Sequence, residues 1–456
     1  MKNTSYIQRR SFLKTALLSV TATGLPMLAP SSILGRAGET APSNRIGIGC
    51  IGLGIQGMGN LRVFRSIPDA RIAAVCDVHE TQLKKGKTAM DEFYGNKDCL
   101  SFKDFRELIA HPDIDAIQIT TPDHWHPLIA MEATRKRKHI YYEKPMGWSM
   151  RAAMAVRKAV HESGIVFQLG TQQRSSRNFR YVCELVRNGK IGQLKTILVG
   201  VPGSVPCPNQ ATEPVPKELD YEFWLGPAPM APYSFERCRP YTDRPGESWT
   251  RNYSTWYHLS DYCIGFIGNW GIHHIDIAQW GNGTERTGPI EIEGSGTFPK
   301  EGMADCALTW QVKNVYAKGV TIIHMDDETS KKHPLQKNGH GHGVMFLGTE
   351  GWVFVDRGGM DAHNPALLKT VLGSNDTLLF KSDNHHANFI DAIKKKTPTA
   401  SPIDIAVRSD ALCWIDQIAI KLNRKLYWDP VAEAFKNDEE ANRMMDRPMR
   451  SPWKLG

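Results

Sequence analysis

Through its first half the chain alternates short apolar runs with helix-length amphipathic stretches. Residues 45–53 form a compact apolar run that ends in glycines, and similar runs follow at 71–78, 115–121, 139–143 and 165–169. Runs this short fit strands buried on both faces, and their alternation with helices implies right-handed crossovers and a parallel, doubly wound sheet. Near Gly192 the pattern changes. Period-two alternation appears at 194–201, 305–312, 320–325 and 352–356, separated by long loops rich in proline and glycine, which predicts a mainly antiparallel sheet with one covered face. Stretches at 384–396 and 404–422 read as helices that pack back on the body. The expected fold is therefore α/β, with a nucleotide-binding unit over 41–190 followed by an α+β unit over 191–456. With 456 residues the chain exceeds what one core usually supports, which agrees with two units.

Residues 1–40 read differently. Gln8-Arg9-Arg10-Ser11-Phe12-Leu13-Lys14 places an arginine pair before a mostly apolar stretch, 15–29, that is too short to span a membrane comfortably. It resembles a twin-arginine secretory signal, with an ordinary secretory signal as the alternative, and either predicts export to the periplasm or cell envelope without a permanent membrane span. This segment also takes half of the net charge of +8. A surplus of +4 on the rest, with no basic block or interleaved aromatic stripe, gives no case for nucleic acid. Nine cysteines without a C-x-x-C pair indicate neither a zinc site nor a disulfide scaffold, and no metal is expected.

The first chemistry-bearing motif is Gly52-Leu53-Gly54-Ile55-Gln56-Gly57, a G-x-G-x-x-G string between the first strand and a helix expected over 59–66. The first glycine makes the tight turn, the second lets the backbone approach a pyrophosphate, and the third lets the helix pack closely. Helix N-terminal amides then face the phosphate charge. Asp77 closes the second strand, where a carboxylate accepts ribose hydroxyls and repels a 2′-phosphate, so NAD is expected rather than NADP. Without a ligand the same residues would be a glycine-rich turn and an acidic loop.

Two further strand ends carry polar residues. Thr121-Pro122-Asp123-His124-Trp125-His126 follows the run at 115–121, and Glu143-Lys144-Pro145 follows 139–143. Carboxyl ends of parallel strands are where open α/β sheets bind ligands. Together with the nucleotide loop, Glu143-Lys144-Pro145 resembles the Gfo/Idh/MocA oxidoreductases, the glucose-fructose oxidoreductase and inositol dehydrogenase family, from about Asn44 to the C-terminus. The resemblance implies a Rossmann domain followed by a large open-faced sheet that binds substrate. It implies that Lys144 contacts substrate and cofactor ribose, and that Thr121, Pro122 and His126 border the nicotinamide, with His124 and Glu143 counted among the cofactor-facing residues.

The family's D-x-G-x-H segment, whose histidine passes the hydroxyl proton, is matched here by Asn269-Trp270-Gly271-Ile272-His273, followed by His274. Asparagine can orient a hydroxyl but cannot take its proton, so the base role falls on His273 with Lys144 or on a group that the motif does not identify. Adjacent residues at a helix start point in different directions, so one of His273 and His274 is expected to face substrate. Trp224, Trp249, Trp256, Trp270 and Trp280, with Tyr253, Tyr257 and Tyr262, form an aromatic cluster that suits the apolar face of a sugar ring. Domain cores and interfaces use tryptophan equally well. Substrate contacts are expected from Asn269, Trp270, His274, Trp256 and Tyr257. Gly170-Thr171-Gln172-Gln173-Arg174 either adds polar contacts or is a structural turn.

The expected function is hydride transfer between tightly held NAD and a secondary hydroxyl of a small carbohydrate: a sugar, glycoside or cyclic polyol. The alternative is an NAD-dependent glycosidase that oxidises ring carbon 3 transiently and eliminates the glycosidic oxygen without net redox change. A non-catalytic sugar-binding protein is the third class. An exposed sheet face predicts a homo-dimer or tetramer.

Overall fold

The computed structural model describes residues 44–238 and 255–455. The twin-arginine stretch, Trp249 and Tyr253 lie outside them. A six-stranded parallel sheet forms first, in the order β3-β2-β1-β4-β5-β6. Its strands are β1 (Ile46–Ile51), β2 (Ala70–Cys76), β3 (Leu100–Phe102), β4 (Ala116–Ile119), β5 (His139–Tyr142) and β6 (Phe167–Leu169). Successive residues serve opposite faces: Ile48, Cys50 and Tyr141 join one buried cluster, Ile51, Ile140 and Tyr142 the other. Burial on both faces is why these strands read as unbroken apolar runs.

Strand order reverses between β1 and β4, and this switch point opens a crevice at their carboxyl ends. The first helix, Ile55–Arg65, begins four residues before the expected start. Gly57 and Gly59 lower its intrinsic propensity, but Gly57 is the place where the turn passes Gly52: a Cβ there would lie 1.9 Å from the Gly52 carbonyl oxygen. Close tertiary packing overrides the weak local preference.

The second sheet has nine strands in the order β13-β12-β11-β7-β10-β9-β8-β14-β15. They are β7 (Leu194–Val201), β8 (Glu291–Thr297), β9 (Thr309–Val315), β10 (Thr321–Asp326), β11 (Gly343–Gly348), β12 (Trp352–Val355), β13 (Met360–Ala362), β14 (Leu426–Asp429) and β15 (Ala434–Phe435). Every neighbouring pair is antiparallel except β7 with β10. Ile197, Val199 and Val201 of β7 join the main core beneath the helices Gly271–Asn282 and Ile403–Leu422. Leu198, Ile323, Met325, Met345 and Phe354 form a small cluster of their own.

Both of those helices are buried almost along their whole length, as expected of helices that are apolar all round. Ile403–Leu422 also packs on Met150–Ser163 of the first unit and so joins the two. A buried ion pair supports the floor between them. Arg174 reaches Asp276 at 2.5 and 2.9 Å and Glu285 at 2.9 Å, with its guanidinium over Trp280. The segment 170–174 is thus structural at its arginine end.

Candidate active site

The nucleotide loop takes its shape from its three glycines. Gly52 has φ +86°, and a Cβ there would meet the Thr120 carbonyl oxygen at 2.4 Å. Gly54 differs: it is extended, and a Cβ on it would find nothing within 4 Å. Open space therefore lies above the loop, next to the amides that start Ile55–Arg65, which is the arrangement a pyrophosphate needs. Beyond β2, Asp77 accepts the Leu53 amide at 2.7 Å and the His79 amide at 2.8 Å. Both oxygens are aimed by the backbone, and each keeps a lone pair for a ribose hydroxyl. Burial raises the Asp77 pKa, while those two amides oppose the rise. Lys103, unnoticed in the sequence, borders this end and pairs with Glu80 at 3.5 Å.

One cavity of about 410 Å³ runs from this loop to the second sheet. At its centre Lys144 Nζ donates to Asn269 Oδ1 at 3.0 Å, which joins the end of β5 to the short helix Phe266–Asn269. His273 lies in the first turn of the next helix, Gly271–Asn282, and lines the same cavity. Four buried polar atoms here have no partner: Thr121 Oγ1, Asp123 Oδ2, Asn269 Nδ2 and His273 Nδ1. Buried polar atoms are normally hydrogen-bonded, so their convergence marks a place built for a polar ligand.

The surroundings set the charges. Burial pulls the Lys144 pKa below its ordinary value, Glu143 and Asp123 push it back, and Arg357 lowers it further. Burial, then Lys144 and Arg357, hold His273 well below the ordinary histidine range, so its ring is neutral. Glu143 is engaged from the other side: it accepts from Asn60 Nδ2 at 2.8 Å and Gln56 Nε2 at 3.1 Å. Gln56 therefore ties the nucleotide helix to β5, with Ile55 and Pro122 also lining the cavity.

The two histidines after β4 have separate places. His126 spans the Thr121 and Pro145 carbonyls at 2.8 and 2.9 Å and borders the cavity. Two carbonyls favour a second ring proton, but burial dominates and pushes the pKa down to about 4. His124 corrects the expectation that it faces the cofactor. It is fully buried, contacts the Trp224 carbonyl at 3.0 Å and packs on Tyr262, away from the cavity. One turn of 3-10 helix, Asp123–Trp125, points these neighbours in different directions.

His274 is the second correction. Its Nδ1 meets the Gly200 carbonyl at 3.0 Å and its ring lies against His342, so it serves the sheet contact and not the substrate side. Of the aromatic cluster, Trp256 and Tyr257 stack at 3.8 Å and line the cavity, as does Trp224. Trp270 also lines it, with one face under the Arg357 guanidinium at 4.6 Å. Tyr262 and Trp280 are core residues. Arg357 comes from the turn after β12 and carries no motif; only the fold of the second sheet brings it to the site.

These features define a class: a two-domain dinucleotide-binding α/β protein whose cofactor crevice opens onto a polar pocket walled by a second sheet. The family profile for the oxidoreductase NAD-binding Rossmann fold matches residues 46–171, and that for the oxidoreductase C-terminal alpha/beta domain matches 205–455. The chain belongs to the Gfo/Idh/MocA oxidoreductase family, and its first domain is an NAD-binding Rossmann fold.

Among its relatives are glycosyl hydrolase family 109 protein 2 of Shewanella sp. (strain ANA-3), 29% identical over 42% of this chain and 45% of that protein. Myo-inositol 2-dehydrogenase of Thermotoga maritima is 28% identical over 38% of this chain and 47% of that protein. The chain thus spans about half the length of the curated relatives it matches. Among solved structures, the WlbA dehydrogenase from Bordetella pertussis in complex with NADH and UDP-GlcNAcA is similar over 84% of this chain and 99% of its own, with TM-score 0.60 and 15% identity. At that identity the likeness concerns the fold. Among the described residues no helix is long and apolar enough to cross a membrane.

Proposed function

We propose that this protein transfers hydride between NAD and a secondary hydroxyl of a sugar, glycoside or cyclic polyol. The observation that carries the reading is the meeting, in one cavity, of the nucleotide loop with Lys144, Asn269 and His273. When bound, NAD supplies the hydride acceptor. The chain supplies the rest: Lys144 and Asn269 hold the reacting hydroxyl, and neutral His273 offers Nδ1 to take its proton. Asn269 orients and cannot accept a proton, because it is an amide. Trp256 and Tyr257 provide a flat apolar wall for the ring. The test is a panel of sugars and cyclic polyols against purified protein with NAD, read as NADH absorbance. No absorbance change across the panel, and no product, sinks the reading.

The relation to glycosyl hydrolase family 109 proteins favours a second reading for the same residues. In it, oxidation at ring carbon 3 acidifies the carbon 2 proton, the glycosidic oxygen leaves, water adds and the ketone is reduced again. Released aglycone with solvent deuterium at carbon 2, and no accumulating ketone, selects this reading; oxidised but intact glycosides reject it.

We also propose export, on the strength of Arg9-Arg10 before the apolar stretch 15–29. Free NAD is scarce outside the cytoplasm, so an exported enzyme would keep its cofactor through the cycle. Replacing both arginines with lysine should hold the protein in the cytoplasmic fraction. Equal recovery outside the cytoplasm refutes a twin-arginine route. A homo-dimer or tetramer is the assembly expected, and light scattering decides it.

A further inference from the structure

We propose that His386 is a positioning residue for the cofactor site: through Asn60 it fixes which oxygen of Glu143 faces the dinucleotide. The inference rests on the reading of the crevice as an NAD site, and it concerns a residue that does not itself line the cavity.

His386 comes from the second unit, on the helix His385–Lys395 that packs on Ile55–Arg65. Its ring stacks on Tyr141 at 4.8 Å and stands edge-on to Phe64 at 4.7 Å. Burial holds its pKa down to about 3, so the ring is neutral and carries a single N–H. Nε2 lies 3.1 Å from Asn60 Oδ1, which can only accept, so the proton sits on Nε2.

Asn60 is 3% exposed and passes this constraint to the site: its Nδ2 donates to Glu143 Oε1 at 2.8 Å. Gln56 Nε2 donates to both acceptors, Asn60 Oδ1 at 3.0 Å and Glu143 Oε1 at 3.1 Å. The two ends of an amide are nearly equal in size, so its partners decide which way it is turned. His386 and Gln56 together occupy Asn60 Oδ1 and turn Nδ2 toward Glu143. Glu143 Oε1 then accepts twice, which uses both of its lone pairs. Oε2 takes only the Lys144 amide, at 3.3 Å, and is the oxygen left for the cavity. An acceptor between the nucleotide loop and Lys144 suits the hydroxyl donors of the ribose that carries nicotinamide.

Seating the helix is already the task of its neighbours. The His385 ring joins the Leu169 carbonyl at 2.7 Å and Ser175 Oγ at 2.8 Å, and Phe389 and Ile390 are buried. A packing role for His386 needs its ring, whereas the positioning role needs its N–H.

The experiment is calorimetric titration of NAD into the cofactor-stripped full chain. His386→Phe keeps an aromatic ring against Tyr141 and Phe64 but has no N–H, and it should raise Kd roughly 3- to 12-fold, the worth of one buried hydrogen bond. His386→Gln carries an amide N–H the same number of bonds from the backbone and should bind NAD within about twofold of wild type. In a Glu143→Ala background His386→Phe should change Kd by less than about twofold, because both residues act through one carboxylate. Thermal melts check folding, and His386→Met replaces Phe if that variant unfolds. A Kd for folded His386→Phe or His386→Met within about twofold of wild type overturns the proposal. So does His386→Gln binding as weakly as Phe, or the same factor with and without the Glu143 carboxylate. Wild type that takes up no NAD is a different failure, which removes the cofactor reading and this proposal with it.

Discussion

Gly54→Ala isolates the cofactor contact from the fold. The residue is extended at φ −65° and ψ −170°, a conformation alanine adopts without strain, and the added Cβ meets no protein atom within 4 Å. Two small terms act on stability. Losing glycine's freedom in the unfolded chain favours the variant by about 0.4–1 kcal/mol. Alanine is a poorer N-cap than glycine for Ile55–Arg65 by a similar amount, on the order of 1 kcal/mol. These nearly cancel, so the melting temperature should move by less than about 4 °C. The bound state is different, because the methyl group enters the space where the loop backbone approaches a pyrophosphate. Overfilling a tight contact costs about 1–3 kcal/mol, which is roughly a 5- to 150-fold rise in Kd for NAD. Calorimetric titration of NAD, paired with thermal melts, measures both. Gly57→Ala is the contrasting variant: its Cβ would lie 1.9 Å from a backbone oxygen, so the fold itself should suffer. If Gly54→Ala binds NAD within about twofold of wild type, the pyrophosphate does not sit over this loop and the reasoning fails.

Asp77→Ser should weaken NAD roughly 10- to 150-fold, the value of a hydrogen bond to a charged group, and bring NADP closer to NAD because Lys103 borders the same end; an unchanged ratio of the two affinities refutes this. The pH profile of kcat/KM on whichever carbohydrate proves active should show two limbs. The acid limb falls below 6.5, where His273 gains a proton and can no longer accept one. The alkaline limb falls below 10.5, where Lys144 loses its proton, and it should vanish in Lys144→Met along with roughly 100- to 10,000-fold of activity. Arg174→Met strands Asp276 and Glu285 in a buried setting and should cost about 3–5 kcal/mol in denaturant unfolding. A loss under about 1 kcal/mol would show that the pair is relaxed by solvent.

The parts legible in the sequence are those where one short segment carries the whole physical requirement. The run at 194–201 becomes a strand with those bounds, but from Ile197 to Val201 it is buried on both faces and not on one, because Leu198 joins a second cluster with Ile323, Met325, Met345 and Phe354. The glycine string needs its glycines for backbone approaches measurable at Gly52 and Gly57, so pattern and geometry coincide. Strands β8 and β11 escaped because Gly294, Gly296, Gly343 and Gly348 break the alternation, and β14 and β15 are too short to show a period. Asp123, His124 and His126 sit in one segment, yet only the turn of 3-10 helix separates the cavity-lining Asp123 and His126 from buried His124.

What stayed hidden is what exists only between segments. Lys144 and Asn269 are 125 residues apart and meet because β5 and the helix Phe266–Asn269 converge at the crevice. Arg357 reaches the site because β11, the partner of β12, also pairs with the much earlier β7, and that long-range pairing carries the turn after β12 to the crevice. The same convergence explains why the unpartnered atoms on Thr121, Asp123, Asn269 and His273 collect there and survive. Each would be an unrecovered cost in an isolated domain, and two domains contributing atoms to one cavity leave them for a ligand that can satisfy all four together. Specificity in such a site comes from the penalty a wrong ligand pays by leaving one of them bare, so substrate choice should follow hydroxyl placement more closely than ring size.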